Sequence, residues 1–210
     1  MTKVFNEQDW DSFNSRLKNN EIVVIDNFFT NMFLSILKIR GLYSKYVDTI
    51  YPEYLATDYF IPQDYITDTI VKEVRHNLYV LPVFLYAWTF VYNNESTGVQ
   101  LHADGGKFTV NVWVSNDESV KNKTCNGLLI YKIIPPSDWT RKDWNARTQA
   151  QKVNNYIDSH HLEPIKIDYK SNRAIIFNGA YFHKSNNVSM KEGVHNKRVS
   201  YTMLFGTQLE

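Results

Sequence analysis

Hydrophobic positions change period once along this chain. In "NEQDWDSFNSRLKN" (6–19), Trp10, Phe13 and Leu17 recur at helical spacing, and Asn6 stands where a cap would. "EIVVIDNFF" (21–29) is a β-branched run and predicts a buried strand. Thr30 can cap a second helix, with Phe33, Leu34, Ile36, Leu37 and Ile39 on its apolar side and Gly41 expected to weaken or bend it. A third helix is predicted over 66–79, ahead of Pro82. From about residue 84 the chain becomes a series of short strands divided by polar turns: "FLYAWTFVY" (84–92), "GVQLHAD" (98–104), "KFTVNVWVS" (107–115), "GLLIYKII" (127–134), "EPIKIDY" (163–169), "RAIIFNG" (173–179) and "RVSYTMLFG" (198–206). Close-set strands of this kind predict a β-sandwich, jelly roll or barrel. Residues 136–161 interrupt them with a segment that looks helical in its second half, placed as an insertion or lid over a pocket mouth. The expectation is one domain over 1–210, mainly β: an N-terminal helical and strand layer (1–83) on a β-rich core (84–208).

Composition narrows the function classes. With 210 residues, 43% hydrophobic and 15% aromatic, the chain can bury a sizeable core. The net charge is +1 and the short basic stretch "VKNK" (120–123) reads as a solvated loop, so nucleic acid is not favoured as a partner. Cys125 is the single cysteine and cannot form an intrachain disulfide, which suits a reducing compartment. "MTKVFNEQDWDSF" has no apolar signal core and no later run is long enough to span a bilayer, so the expected location is the cytoplasm.

The chemistry begins at "LHADGGKFTVNVWVS" (101–115). Residues i and i+2 of an extended chain share a face, so His102 and Asp104 can converge on one point. A lone His-x-Asp pair is weak evidence and needs a third ligand from elsewhere. On the strand that follows, Val110, Val112 and Val114 form a core-facing row, while Thr109, Asn111, Trp113 and Ser115 form a polar face that is either solvent-exposed or lines a cavity. Far downstream, His183 follows the turn at Asn178–Gly179, and Arg198 opens the last strand with Ser200 and Thr202 on its face. An Arg there is a surface residue or, pointing inward, a cation that must meet an anion. Two neutral imidazoles and a carboxylate suit Fe(II) and leave coordination sites open for a 2-oxoacid and O2. The far carboxylate of 2-oxoglutarate then calls for a two-point cation such as Arg198, with the Ser200 hydroxyl as a second donor.

In this order of motifs the chain resembles the Fe(II)/2-oxoglutarate-dependent dioxygenases. Their pattern is His-x-Asp, a distant His and an Arg-x-Ser on the last strand of a double-stranded β-helix; "LHAD", "YFHKS" and "KRVSYTMLFG" match it. "EIVVIDNFFTNMFLSIL" is similar to the opening of the prolyl 4-hydroxylase-like branch, and stretches such as "NGLLIYKIIPPSDW" and "HKSNNVSMKEGVHNKR" look like a bacterial and phage subgroup of unsettled substrate. The resemblance covers roughly residues 20–207. It implies a jelly-roll fold, iron on His102, Asp104 and His183, and 2-oxoglutarate held by Arg198, Ser200 and Tyr92, with Asn111 of the polar face beside it. The activity implied is hydroxylation of an unidentified peptide side chain or small molecule, using O2, releasing succinate and CO2, and with ascorbate as a reductant.

The remaining candidates receive ordinary readings. His76 is expected to be packed or exposed on its helix, His160 and His161 have no partner at ligand spacing, and His195 lies in the loop before Arg198, with a substrate-side role as the lesser alternative. Cys125 has no neighbouring base motif, and Trp139 and Trp144 are expected to pack within the insertion. Two other functions fit a metal jelly roll: a non-catalytic binding or structural module, and a cupin-like metal isomerase, which would not need Arg198.

Overall fold

The computed structural model describes residues 3–43, 54–59 (backbone only) and 65–207, apart from the side chain of Arg147. The N-terminal layer runs α1 (Trp10–Lys18), β1 (Val23–Ile25), α2 (Asn31–Tyr43), β2 (Tyr54–Tyr59) and α3 (Tyr65–Asn77). The β-rich part continues with β3 (Phe84–Tyr92), β4 (Glu95–Ser96), β5 (Gly106–Trp113) and β6 (Leu128–Tyr131), then α4 (Arg141–Asn145) and α5 (Ala150–Ser159). It ends with β7 (Ile165–Ile167), β8 (Arg173–Asn178), β9 (Phe182–Ser185), β10 (Val188–Ser189) and β11 (Val199–Thr207).

Six antiparallel strands make the large sheet, in the order β1-β8-β5-β11-β3-β2. Smaller sheets, β7-β6-β9 and β4-β10, complete the strands of the described residues. Alternation along each strand decides what the large sheet's two faces do. Val110 and Val112 of β5, Ala174 and Ile176 of β8, and Val199, Tyr201 and Met203 of β11 pack with α1, α2 and α3 in one continuous core. The opposite residues, Trp113, Ile175 and Phe177, meet Leu128, Ile130 and Ile167 of the small sheet. The result is a two-layer sandwich with helices outside the large sheet, and among the described residues it is not a closed barrel.

Several local expectations change. Asp9 rather than Asn6 caps α1, accepting from Ser12 N at 3.1 Å; Asn6 donates instead to Asn27 O and Phe29 O. Gly41 lies inside α2, which runs on to Tyr43. A Cβ there would lie 2.5 Å from Val199 Cγ1, so the missing side chain is what lets the helix lie on the sheet. Residues 98–104 form no strand: a single bridge joins His102 to His183, and His183, which follows the turn at Asn178–Gly179 as expected, lies on a short strand, β9. Strands β2, β4 and β10 carry too little pattern to be foreseen. The 136–161 segment holds α4 as well as α5 and packs onto Leu101, Ala103 and Phe182, with Trp144 buried among them.

Candidate metal centre

His102 and His183 are paired through their own backbones, His102 N to His183 O at 3.0 Å and His183 N to His102 O at 2.8 Å. Their rings are 4.4 Å apart between centroids. The Asp104 amide donates to Gly179 O at 2.8 Å, which ties the third residue to the turn between β8 and β9. A Cβ on Gly179 would collide with the Gly106 carbonyl oxygen, so only glycine permits this approach. One candidate donor atom from each of His102, Asp104 and His183 falls within 4.8 Å of the others. Three residues spread over 82 positions of sequence thus share one small volume.

Each histidine is held by a backbone carbonyl two residues earlier. His102 Nδ1 lies 2.7 Å from Gln100 O, and His183 Nδ1 lies 2.9 Å from Tyr181 O. A carbonyl only accepts, so Nδ1 carries the proton and Nε2 keeps a lone pair, the tautomer that metal ligation needs. Both Nε2 atoms face Asp104, at 3.7 Å from Oδ1 for His102 and 3.4 Å from Oδ2 for His183. Thr109 Oγ1 donates to Asp104 Oδ2 at 2.6 Å and fixes the carboxylate's plane. Burial depresses the His102 pKa to about 4; the neighbouring His183 adds to the effect and Asp104 opposes it. Burial works to raise Asp104, but the two imidazoles and Thr109 outweigh it and hold the carboxyl at about 2. The arrangement is therefore an ionised carboxylate with a neutral His102, both prepared for a cation.

Between the two sheets lies a cavity lined by the three residues, by Thr109, Asn111 and Thr202 of the large sheet, and by Trp88, Phe90 and Tyr92 of β3. The polar face of β5 therefore lines a cavity and is not turned to solvent. Asn111 Nδ2 donates to Thr202 Oγ1 at 2.7 Å, and its Oδ1 is buried without a partner. The Tyr92 hydroxyl lies 3.4 Å from Ser185 Oγ. Arg198 points inward and is 1% exposed. Its guanidinium sits 4.5 Å from the Tyr92 ring centroid and 5.6 Å from that of Trp113. Among the described residues, its Nε and Nη1, and the nearby Ser200 Oγ, are buried with no hydrogen-bond partner.

Trp139 and Trp144 do not line this cavity, and His76, His160, His161, His195 and Cys125 are outside the three-residue cluster. His195 instead meets the Tyr43 hydroxyl at 3.3 Å. Thr109 and Gly179 are the positioning residues that the motifs left unassigned. Thr109 was readable from its place on the polar face; Gly179 and the two carbonyls have no side chain to read.

No family model matches the sequence, and no curated protein matches it. Solved structures do. HygX from Streptomyces hygroscopicus, solved with nickel and 2-oxoglutarate bound, is 11% identical over 97% of this chain and 89% of its own, with a TM-score of 0.63. The non-heme α-ketoglutarate-dependent epimerase SnoN of nogalamycin biosynthesis is 9% identical over 94% and 83%, with a TM-score of 0.66. A Pseudomonas putida prolyl-4-hydroxylase is 9% identical over 95% and 99%, with a TM-score of 0.59. The fold is that of the 2-oxoglutarate oxygenases. At 9–11% identity this is a likeness of architecture, and it agrees with the jelly roll among the folds the strand pattern allowed and with the double-stranded β-helix that the family resemblance implied. The 2-oxoglutarate oxygenase fold hosts an epimerase as well as a hydroxylase among these three, so architecture alone does not select the reaction.

Proposed function

We propose that this protein is an Fe(II)- and 2-oxoglutarate-dependent oxygenase that hydroxylates a peptide side chain or small molecule not yet identified. The observation that carries the reading is Arg198: a guanidinium buried among aromatic rings, with two nitrogens unpaired, beside a cavity that also holds two histidines and an aspartate. A buried cation left without an anion costs several kcal/mol, and a dicarboxylate reaching from the metal to Arg198 removes that cost. His102, Asp104 and His183 would hold the metal through Nε2, a carboxylate oxygen and Nε2. Arg198 and Ser200 would grip the distal carboxylate, and the Tyr92 hydroxyl would lie beside it. Asn111 fits once its amide is turned over, accepting from Thr202 and directing its N–H groups into the cavity; oxygen and nitrogen of an amide are assigned from such networks. Iron bound there would activate O2 with electrons from oxidative decarboxylation of 2-oxoglutarate, releasing succinate and CO2, with ascorbate as an auxiliary reductant. The aromatic wall of Trp88, Phe90 and Tyr92 would limit water around the reacting atoms. Cys125, a half-buried free thiol, suits a reducing cytoplasmic setting, and no helix among the described residues is long and apolar enough to cross a membrane.

The test is a titration of 2-oxoglutarate into the Fe(II) protein under argon, following the visible charge-transfer band. Arg198→Ala should weaken binding by about 2–5 kcal/mol, as for loss of one partner of a buried charge pair. Arg198→Lys keeps the charge without the fork and should fall between. Ser200→Ala should cost about 1 kcal/mol, and Fe(II) affinity should be unchanged in all three. If Arg198→Ala binds 2-oxoglutarate as tightly as wild type, a metal-binding module or a cupin-like isomerase becomes the better reading.

A further inference from the structure

We infer that the inserted segment 136–161 is a clamp that sets the metal ligands from behind, with Asn145 as its positioning residue. The inference rests on the metal-site reading above. It starts from alternation: if His102 and Asp104 face the metal, the residue between them faces away. Ala103 is fully buried on that far side. Leu101, Ala103 and Phe182, the immediate neighbours of His102, Asp104 and His183, enter an apolar cluster completed by Trp144, Val153 and Ile157 of the insertion. Each of the three residues therefore has a chain neighbour that packs against the inserted segment.

The backbone makes the same connection. Successive peptide groups of an extended chain bond to opposite sides. His102 uses its N–H and C=O on His183 of β9. Ala103 turns the other way: its N–H donates to Trp144 O at 3.0 Å, and its C=O accepts from Asn145 Nδ2 at 2.7 Å. Residues 98–104 make no strand ladder, so the end of α4 stands where a neighbouring strand would otherwise satisfy Ala103. The clamp is itself braced. Thr140 and Asp143 form a capping box on α4, Asp143 pairs with Lys152 of α5 at 2.7 Å, and Lys152 lies 4.4 Å over the Trp139 ring. A substitution at Asn145 touches neither the cavity nor a ligand side chain, yet it loosens the peptide that joins two ligands.

The experiment uses the whole chain and Co(II), whose visible ligand-field bands report the number and geometry of its ligands. Asn145→Leu keeps the shape of the side chain and removes the donor. It should raise the Co(II) dissociation constant about 10-fold, within the range for groups that orient metal ligands, and alter the bands while the metal-free protein still folds. Asn145→Gln retains an amide donor and should recover part of the affinity, which a role in packing alone would not produce. Hydrogen exchange on metal-free wild type supplies a test that needs no variant: the Ala103 amide should already be protected. Wild-type affinity and spectrum in Asn145→Leu, or an Ala103 amide that becomes protected only on adding metal, would overturn the clamp and leave the metal site standing. Failure of wild type to bind one Co(II) would remove the metal-site reading itself, and the clamp with it.

Discussion

Two carbonyl oxygens decide the chemistry of the histidines. Gln100 O and Tyr181 O take up the Nδ1 side of each ring, so both Nε2 atoms face Asp104 and are the atoms offered to a metal. That His102, Asp104 and His183 would converge was legible in the sequence, because the i, i+2 spacing and the order of the motifs both pointed to it. Their orientation was not legible, since a backbone carbonyl leaves no mark in residue type. A pH prediction follows for His102 in the metal-free protein. Its pKa falls from 6.5 to about 4, chiefly through burial, so between these values the unfolded chain binds the extra proton. The stability His102 contributes is complete above pH 6.5 and is lost as pH falls through 4. Imidazole NMR of the metal-free protein should show His102 neutral at pH 6 and titrating near pH 4. A midpoint close to 6.5 would mean that the ring is solvated and the site is not assembled without metal.

At the level of elements, sequence pattern worked where both faces of a strand had a clear assignment. β3, β5, β8 and β11 lie where alternation or apolar runs placed them. It failed at 98–104, where Gly98 has a φ of +72° and the chain makes only one bridge before turning away. The backbone groups there are satisfied by β9 on one side and by α4 on the other, and neither partner is close in sequence. At Gly41 packing supplies a reason for the residue that local propensity does not show. Alanine is intrinsically better than glycine in a helix by about 1 kcal/mol. At this position the added methyl would press on Val199 Cγ1 at 2.5 Å and Thr89 Cγ2 at 3.0 Å. Overpacking of that kind costs about 1–3 kcal/mol, so the clash should win. Gly41→Ala is therefore expected to lower the urea midpoint, by about 1 kcal/mol of net stability once the helix gain is set against the clash. A variant as stable as wild type would show that α2 can withdraw from the sheet without loss.

Across the molecule, the two faces of the large sheet divide stability from function. The helix-facing side is a continuous apolar core, whereas the cavity side keeps polar atoms in buried positions, several without partners. Arg198 is the extreme case, because its rings offset only part of the cost of burying it. The two cation–π contacts, of which the Trp113 one lies near the limit of range at 5.6 Å, contribute about 0.5–2 kcal/mol each, against an effective penalty of several kcal/mol for a buried ion, with no described carboxylate paired to it. The arginine should thus destabilise the empty fold and be retained for what it binds. Arg198→Met keeps an unbranched side chain of comparable reach and removes the charge. In the metal-free protein it should raise unfolding free energy by about 1–4 kcal/mol, the range seen when buried ionic groups give way to apolar ones. Thermal melts with Ni(II) in place of iron then separate the two roles. Wild type should gain stability from Ni(II) and gain again from 2-oxoglutarate, because a ligand that binds only the native state shifts unfolding by mass action. Arg198→Met should respond to Ni(II) alone. If the variant instead melts below wild type without ligands, Arg198 is a structural residue, and the case for an anion waiting to be bound loses its energetic basis.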